Sequence, residues 1–229
     1  MQGRPILTPE QLAAHKAFVA GQEDIIWNPL YDYQAYTGNA GHTQLTFFSI
    51  PVGQGSTSAP GATGTKNLAD TNLVTAGALP TNNEFYCTGL EILFIPGVQP
   101  GRGAVALADV GEYVDDIWTI FKSGWLSFKI QDRSYVKDGP LGLFPETTRM
   151  GLSASIGLTF DSDEVGTETV EEVAYATFSG EPYAITPVYI VSNQAFQVQL
   201  NWSAAQVLPT GQNARIGVRL NGYQIRNAQ

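Results

Sequence analysis

The sequence of 229 residues is poor in the side chains that most often ligate transition metals. It has one cysteine, Cys87, and two histidines, His15 and His42. A single cysteine excludes an intrachain disulfide. Two isolated histidines are too few for a metal centre of the usual composition or for a Ser-His-Asp arrangement. Cys87 lies within an apolar strand pattern, which favours a small buried hydrophobic residue. We therefore predict no enzyme activity, no catalytic residues, no metal ligands and no bound cofactor.

Positive charge is scarce as well. The chain has twelve lysines and arginines against 21 aspartates and glutamates, which gives a formal net charge of −9 at pH 7. The basic residues are scattered singly, so no patch could neutralise a run of phosphates. We therefore expect no direct sequence-specific binding of nucleic acid. With 43% hydrophobic and 14% charged residues, the composition is typical of an ordered globular protein with a largely uncharged, polar surface.

Long hydrophobic runs are also missing. No stretch approaches the length of a membrane span, and the first residues lack a basic segment followed by an apolar one. This pattern predicts a soluble protein without an export signal. At 229 residues the chain can still bury a sizeable core.

Two stretches near the C-terminus alternate between apolar and polar residues with a period of two. The apolar set of residues 195–202 is Phe196, Val198, Leu200 and Trp202, and that of the second stretch is Ile216, Val218 and Leu220. Such alternation indicates half-buried strands. Residues 208–213, rich in Pro, Gly and Asn, lie between them, so we predict an antiparallel pair with this segment as the connection. The dry face of the resulting sheet needs a second layer to cover it.

The N-terminal 40 residues differ from the remainder of the chain. Residues 8–19 carry a helix signal, with Thr8 as N-cap and Pro9 at the first helical position. Residues 25–33 are rich in large apolar side chains but have no clear period. They either pack under their own domain or dock on a neighbouring copy.

From residue 38 onward the patterns indicate roughly eight to ten β-strands and no α/β alternation. In the longest, residues 84–95, strict alternation assigns one face to Leu90, Ile92 and Phe94 and the other to Phe85 and Cys87. Pro187 places residues 185–191 at a sheet edge, because proline cannot donate to a ladder. The apolar loop 139–145 is unusual on a surface and is expected to pack against something. The other predicted strands are residues 43–50, a hairpin of 113–121 with 125–130, the short 134–137, and the pair 152–160 and 173–178.

Residues 161–172 hold six acidic residues and no basic one, and they partly match the twelve-residue calcium loop. Asp161, Asp163, Gly166 and Glu172 occupy positions one, three, six and twelve. Val165 stands at position five, where an oxygen ligand is needed, and the flanks are strands rather than helices. A solvated loop is the favoured interpretation, and cation binding by Asp161–Glu172 stays open.

Two further groups of side chains could carry chemistry. Glu91 lies within an apolar strand and is interpreted as an outward-facing residue, since no second carboxylate accompanies it. Five aromatic residues could line a sugar platform, although most stand at core positions of strands: Trp118, Trp125, Trp202, Tyr183 and Tyr189. Packing is the default interpretation of these aromatics.

Three passages carry a resemblance to a known family. They are residues 67–80 (NLADTNLVTAGALP) leading into strand 85–95, residues 123–130 (SGWLSFKI) leading through Tyr135 to 138–145 (DGPLGLFP), and the closing LNW, LPTG, ARIGV and LNGY of residues 200–223. Together they cover most of residues 67–229. This part of the chain resembles the virion structural proteins of tailless icosahedral bacteriophages.

The resemblance implies a jelly roll, in which eight strands form two packed antiparallel sheets. Many copies of this domain would form a shell. A double jelly roll would need about twice as many strands, so the expectation is a single jelly-roll β-sandwich over residues 41–229 with a helical arm over residues 1–40. The implied function is that of a capsid subunit that self-assembles through lateral contacts. It would be made in the host cytoplasm and reside in the virion, with copies of itself and other virion proteins as partners.

Two consequences of this hypothesis concern particular segments. The arm, especially residues 25–33, and the loop 139–145 would bury surface against neighbouring copies, and deleting residues 1–35 would leave the sandwich folded but impair assembly. Residues 1–40 have only Arg4 and Lys16 as basic residues, so a lipid layer, another protein or counterions would face the genome. The alternative is a carbohydrate-binding or receptor-binding β-sandwich, and a hydrolase is disfavoured by the missing catalytic residues.

Overall fold

The computed structural model describes residues 23–97, 115–144, 148–160, 166–178 and 182–227. Within these residues the chain is mainly β, and two antiparallel sheets enclose one hydrophobic core, which confirms the predicted all-β sandwich. The predicted helix over residues 8–19 lies outside the described residues. The strands are β1 (Glu23–Trp27), β2 (Leu30–Tyr36), β3 (Gln44–Phe47), β4 (Asn83–Ile95), β5 (Gly124–Ile130), β6 (Arg133–Pro140), β7 (Thr148–Phe160), β8 (Gly166–Phe178), β9 (Tyr183–Ile190), β10 (Phe196–Trp202) and β11 (Ala214–Asn227).

The five-stranded sheet is organised around β11. Its order is β1-β11-β4-β9, and β2 also pairs with β11. Because β11 is so long, one of its edges accommodates both β1, opposite residues 223–227, and β2, opposite residues 214–220. The break between these two strands falls at Asn28 and Pro29, where proline has no N–H to donate.

Residues 25–33 therefore belong to their own sheet, which confirms the first of the two alternatives for this segment. Leu30 is buried in the core and Asp32 is fully buried beside it. Truncating residues 1–35 would remove β1 and almost all of β2, so we expect it to destabilise the sandwich. The segment Glu23–Tyr36, which the sequence analysis assigned to the arm, pairs with β11 of the sandwich.

The four-stranded sheet has the order β3-β10-β5-β6. The predicted alternation in β10 is confirmed: its apolar residues are buried and its polar ones half-buried. The predicted pairing of β10 with β11 is wrong, because the two strands lie in different sheets and residues 203–213 cross between them. Alternation identifies which face of a strand is buried, but not its partner. Two strands in opposite sheets that face each other across a core show the same alternation as two strands paired in one sheet.

Residues 115–121 form a helix instead of the predicted strand. Ile117, Ile120 and Phe121 stand at helical spacing, and all three pack in or against the core. The hairpin of this region is formed instead by β5 and β6, which pair through a turn at Gln131. The predicted hairpin of residues 113–121 with 125–130 is therefore wrong.

A bulge in β4 changes which residues share its inner face. The register with β11 shifts between Gly89 and Cys87, so Thr88 is an extra residue. As a result Phe85, Cys87, Leu90, Ile92 and Phe94 all belong to the same core, which corrects the two faces predicted from strict alternation. Cys87 is buried as predicted, and burial raises the pKa of its thiol to about 12.

The predicted edge position of β9 is confirmed, because it ends the five-stranded sheet and pairs only with β4 among the described strands. Strands β7 and β8 form a separate two-stranded sheet. Strand β8 begins at Gly166, so residues 166–172 lie in a ladder with residues 154–160 rather than in a loop. The predicted solvated loop is therefore wrong for residues 166–172, and residues 161–165 lie outside the described residues.

The close approach of β11 to β4 yields a stability prediction. A Cβ on Gly222 would lie 2.1 Å from the backbone oxygen of Tyr86, which cannot move without disturbing β4. We expect Gly222→Ala to lower the free energy of unfolding by about 2 kcal/mol or more, as overpacking does in sheets. Gly142→Ala is the matched control, since nothing lies within 4 Å of the added methyl group. Urea denaturation of both variants checks this, and equal midpoints would contradict it.

Candidate functional site

Several chain segments meet at one end of the sandwich, which we call the loop end. It comprises residues 115–123, 141–144 and 203–213. Trp202 at the end of β10 pairs with Gly124 at the start of β5, and Trp125 pairs with Pro140 at the end of β6. The helix, the 3-10 turn Leu141–Leu143 and the crossing to β11 therefore all leave the sheet at the same place.

Hydrogen bonds fix the loop end to the sandwich. The buried Asp116 carboxylate accepts from the backbone N–H of Thr210 at 3.1 Å and from its hydroxyl at 2.7 Å. The indole of Trp202 donates to the carbonyl oxygen of Ile120 at 3.0 Å. These bonds run from the helix to β10 and to the segment after it, so the surface of the loop end is held in one arrangement.

That surface exposes large apolar side chains from three different segments. Trp118 is 65% exposed, Leu143 52% and Val207 51%. Two other apolar residues of the predicted apolar loop, Leu141 and Phe144, are buried in the core. This segment therefore packs partly against its own chain and leaves Leu143 exposed. Large apolar side chains exposed at one end of a domain are typical of an interaction surface.

The loop between β3 and β4 lies along the free edge of β2. The backbone N–H of Tyr33 donates to the carbonyl oxygen of Asp70 at 2.7 Å, and that of Tyr31 donates to Oδ1 of Asn72 at 3.1 Å. Asp32 and Thr71 form a short bridge of the antiparallel kind. Residues 67–73, which carry part of the family resemblance, therefore have a structural role here.

A buried ion pair holds the same loop from the inside. Nζ of Lys66 lies 2.5 Å from Oδ1 of Asp32, and both side chains are almost completely buried. Oδ2 of Asp32 accepts from the backbone N–H of Phe48 at 2.7 Å. Burial raises the pKa of Asp32, and the Lys66 ammonium opposes this rise.

Glu91 faces outward from the central strand, as predicted, yet it is completely buried. It forms an ion pair with Arg219, and its Oε1 accepts from the side-chain amide of Asn221 at 2.7 Å. Arg219 Nε is a buried donor without a partner among the described residues. The carboxylate is thus engaged in a cross-strand network, which favours a structural role over acid-base chemistry.

The register places four aromatic residues in one row across the outer face of the five-stranded sheet. Trp27 pairs with Tyr223, Tyr223 with Tyr86, and Tyr86 with Tyr189. The rings of Trp27 and Tyr223 pack edge to face, with their centroids 5.3 Å apart. Sequence analysis missed this row because its members are far apart in the chain and only the strand pairing unites them.

The five aromatics predicted as a possible sugar platform are divided between the loop end and the aromatic row. Trp118 is on the loop end, Trp125 and Trp202 stand at the strand ends beside it, and Tyr189 belongs to the aromatic row. Tyr183 packs against the ring of Phe144 with centroids 5.0 Å apart. Of the five only Trp202 is part of the core, whereas Trp118 and Tyr183 are exposed, so the default interpretation of packing does not account for the whole set.

A polar cleft of about 360 Å³ opens at the end of the sandwich opposite the loop end. Five polar side chains line it, and Phe196 and several short residues form the remaining walls. The polar residues are Ser49, Lys129, Gln131, Asp132 and Gln197, and the others include Ala76, Gly77, Ala78 and Ala195. Sequence analysis did not find this cleft, because four separate turns and strand ends contribute to it.

The histidines and acidic residues form no metal centre in the part of the chain that the structure describes. The imidazole of His42 accepts from the backbone N–H of Thr37 at 3.1 Å, and burial lowers its pKa, so it is neutral at pH 7. His15 lies outside the described residues. No described helix is long and apolar enough to cross a membrane.

We compared the chain with known protein families, curated proteins and solved structures. No family model, no curated protein and no solved structure matches the chain.

The buried pair predicts a pH-dependent stability change. Lys66→Met would leave the Asp32 carboxylate buried without a counter-ion, and we expect a loss of about 3–5 kcal/mol in the free energy of unfolding at pH 7. A carboxyl whose pKa is raised in the folded state contributes stability below its unfolded pKa, ordinarily near 3.8, and loses it as pH rises through the folded value. The loss should therefore shrink as pH falls from 7 towards 4.

The control is the double variant Asp32→Asn with Lys66→Met, which buries no unpaired charge. Denaturation from pH 4 to pH 7 should show a smaller, nearly pH-independent loss for the double variant than for Lys66→Met alone. Identical pH profiles for the two variants would contradict the interpretation of the pair.

Proposed function

We propose that this chain is a capsid subunit of an icosahedral bacteriophage, folded as a single jelly roll whose copies meet side by side through the loop end. The observation that carries the proposal is the set of exposed apolar side chains of Trp118, Leu143 and Val207, which three separate segments present at one end. The resemblance of residues 67–223 to virion structural proteins supports the proposal that this assembly is a capsid.

The order of the strands supports the jelly roll. Without β1 and the β7–β8 hairpin, the sheets are β2-β11-β4-β9 and β3-β10-β5-β6, four strands each. Successive strands alternate between the two sheets except at the β5–β6 hairpin. This order supports the winding of an eight-strand jelly roll, in which two Greek keys wrap around one core. The β7–β8 hairpin is then an insertion between the fifth and sixth strands of that unit, β6 and β9.

The rigidity of the loop end supports a role in assembly. Hydrogen bonds of Asp116 and Trp202 hold the helix and the segment 203–213 in place before any partner arrives. A preorganised surface loses little conformational entropy when it binds, so modest apolar contacts suffice. Repetition of such contacts around a closed shell makes weak individual interfaces collectively stable.

The charge of the chain supports a shell that does not touch the genome directly. The net charge is −9 at pH 7, and phosphates would be repelled by such a surface. Its partners in the virion are copies of itself and other virion proteins, and a lipid layer, another protein or counterions separate it from the nucleic acid.

Assembly of purified protein tests the proposal. We expect oligomers or closed shells by sedimentation velocity and electron microscopy. The double variant Trp118→Ser with Val207→Ser should raise the concentration needed for assembly by about tenfold or more, because each buried apolar side chain contributes about 1.5–3 kcal/mol and tenfold corresponds to about 1.4 kcal/mol.

The matched control removes two equally exposed apolar residues elsewhere. Leu68 is 67% exposed and Val74 64% exposed, and both lie on the loop that joins β3 to β4. The double variant Leu68→Ser with Val74→Ser should assemble like the unmodified protein. A monomer at all concentrations, or equal effects of the two double variants, would contradict the proposal.

A further inference from the structure

The polar cleft is built from segments that backbone hydrogen bonds tie to one another. Gly77 donates to the carbonyl oxygen of Phe48, Phe196 donates to that of Gly77, and Gln131 donates to that of Ala195, each at 2.8 Å. The loop before β4, the turn after β5 and the start of β10 are therefore joined directly. The walls of the cleft are fixed without a ligand.

Three of the four described residues other than glycine that have positive φ lie at or near this cleft, and the fourth is Asn82. Phe48, Gln131 and Asn193 have positive φ values of 67°, 51° and 60°, in the left-handed region that residues other than glycine rarely adopt. Gln131 lines the cleft, Phe48 precedes the lining residue Ser49, and Asn193 lies in the turn before Ala195. Such strain costs of order 1–3 kcal/mol per residue and persists where the surrounding structure over-determines it, often at binding sites.

The lining side chains offer both hydrogen-bond donors and acceptors. Lys129 has three N–H donors, Asp132 has only acceptors, and Gln131 and Gln197 have both. Lys129 and Gln197 stand opposite each other in the β5–β10 register. The Lys129 ammonium lies 3.5 Å from Oε1 of Gln199, a long contact that leaves its other two N–H groups for a ligand.

The cleft has no net charge with which to favour an ionic ligand. One ammonium and one carboxylate line it, so its formal net charge is zero. A neutral molecule with several hydroxyl groups matches the mixture, because each hydroxyl both donates and accepts. The short side chains of Ala76, Ala78 and Ala195 leave room for the C–H groups of such a ligand.

We propose that the polar cleft binds one pyranose unit of a neutral glycan, with Asp132 and Lys129 as the principal contacts to its hydroxyl groups. The volume of about 360 Å³ lies at the small end of the range for ligand sites, which fits a single ring rather than a long chain. The site is independent of the loop end, since the two lie at opposite ends of the sandwich. Glycan binding and self-assembly can therefore fail separately.

Saturation-transfer difference NMR tests this with a panel of methyl pyranosides of glucose, galactose, mannose and N-acetylglucosamine. We expect saturation of ring protons of at least one glycoside with a dissociation constant in the millimolar range. Asp132→Asn and Lys129→Met should each weaken binding by about tenfold or more, since each removes a charge-assisted hydrogen bond. Ala76→Trp should abolish it by filling the cleft while both charges remain.

The controls remove the same charges outside the cleft. Asp24→Asn and Arg226→Met alter an exposed ion pair between β1 and β11 and should leave the dissociation constant within about twofold. Absence of saturation for every glycoside, or binding that Ala76→Trp leaves intact, would overturn the proposal. Circular dichroism of each variant establishes that it is folded before it is compared.

Discussion

Hydrogen bonding along both edges of β11 is the constraint on which the rest of this structure depends. One edge carries β1 and β2 and the other carries β4, so three other strands are positioned by this one. Its inner residues Ile216, Val218 and Leu220 form part of the core that the β10 sheet covers. Because backbone pairing and core packing both pass through β11, a change in its register would turn its apolar side chains away from the core.

The outer face of β11 shows how a solvent-facing row of arginines is stabilised. Gly217 has no side chain, and a Cβ there would lie 2.3 Å from the ring of Tyr33, so glycine is what lets that ring lie across the strand. The guanidinium of Arg215 stacks on the same ring at 3.9 Å from its centroid. Arg219 pairs with Glu91 one strand away. Aromatic stacking, cross-strand ion pairing and hydrogen bonds from Arg215 to Ser58 and Ala69 of the loop between β3 and β4 thus stabilise this face.

The sequence predicted which stretches are strands better than it predicted which strands pair. The alternation of Phe196, Val198, Leu200 and Trp202 was sufficient to identify β10 and its dry face, because burial on one side leaves a periodic record. Partners leave no such record, so β10 and β11 were paired wrongly. The bulge at Thr88 was missed because it depends on one extra residue in a ladder. The helix at residues 115–121 was missed because only Ile117, Ile120 and Phe121 show its spacing.

The candidate sites were less predictable than the fold. The sequence did not predict that Trp118 is exposed, because its exposure follows from the position of the helix. The aromatic row forms only when four strands pair in the observed register. The polar cleft joins Ser49, Lys129 and Gln197 from distant parts of the chain. Local sequence signals describe neighbours along the chain, whereas such surfaces are assembled by topology.

The covered edge of β2 limits how copies of this protein can meet. Residues 70–72 occupy hydrogen-bonding groups of β2 that a strand from another molecule would need, and on the opposite edge Pro187 interrupts the ladder of β9 where the register shifts. Along these two edges, backbone pairing between molecules cannot easily continue the five-stranded sheet. Contacts made there must be side-chain contacts, which are specific and reversible, whereas shared β-ladders tend to polymerise without a defined end.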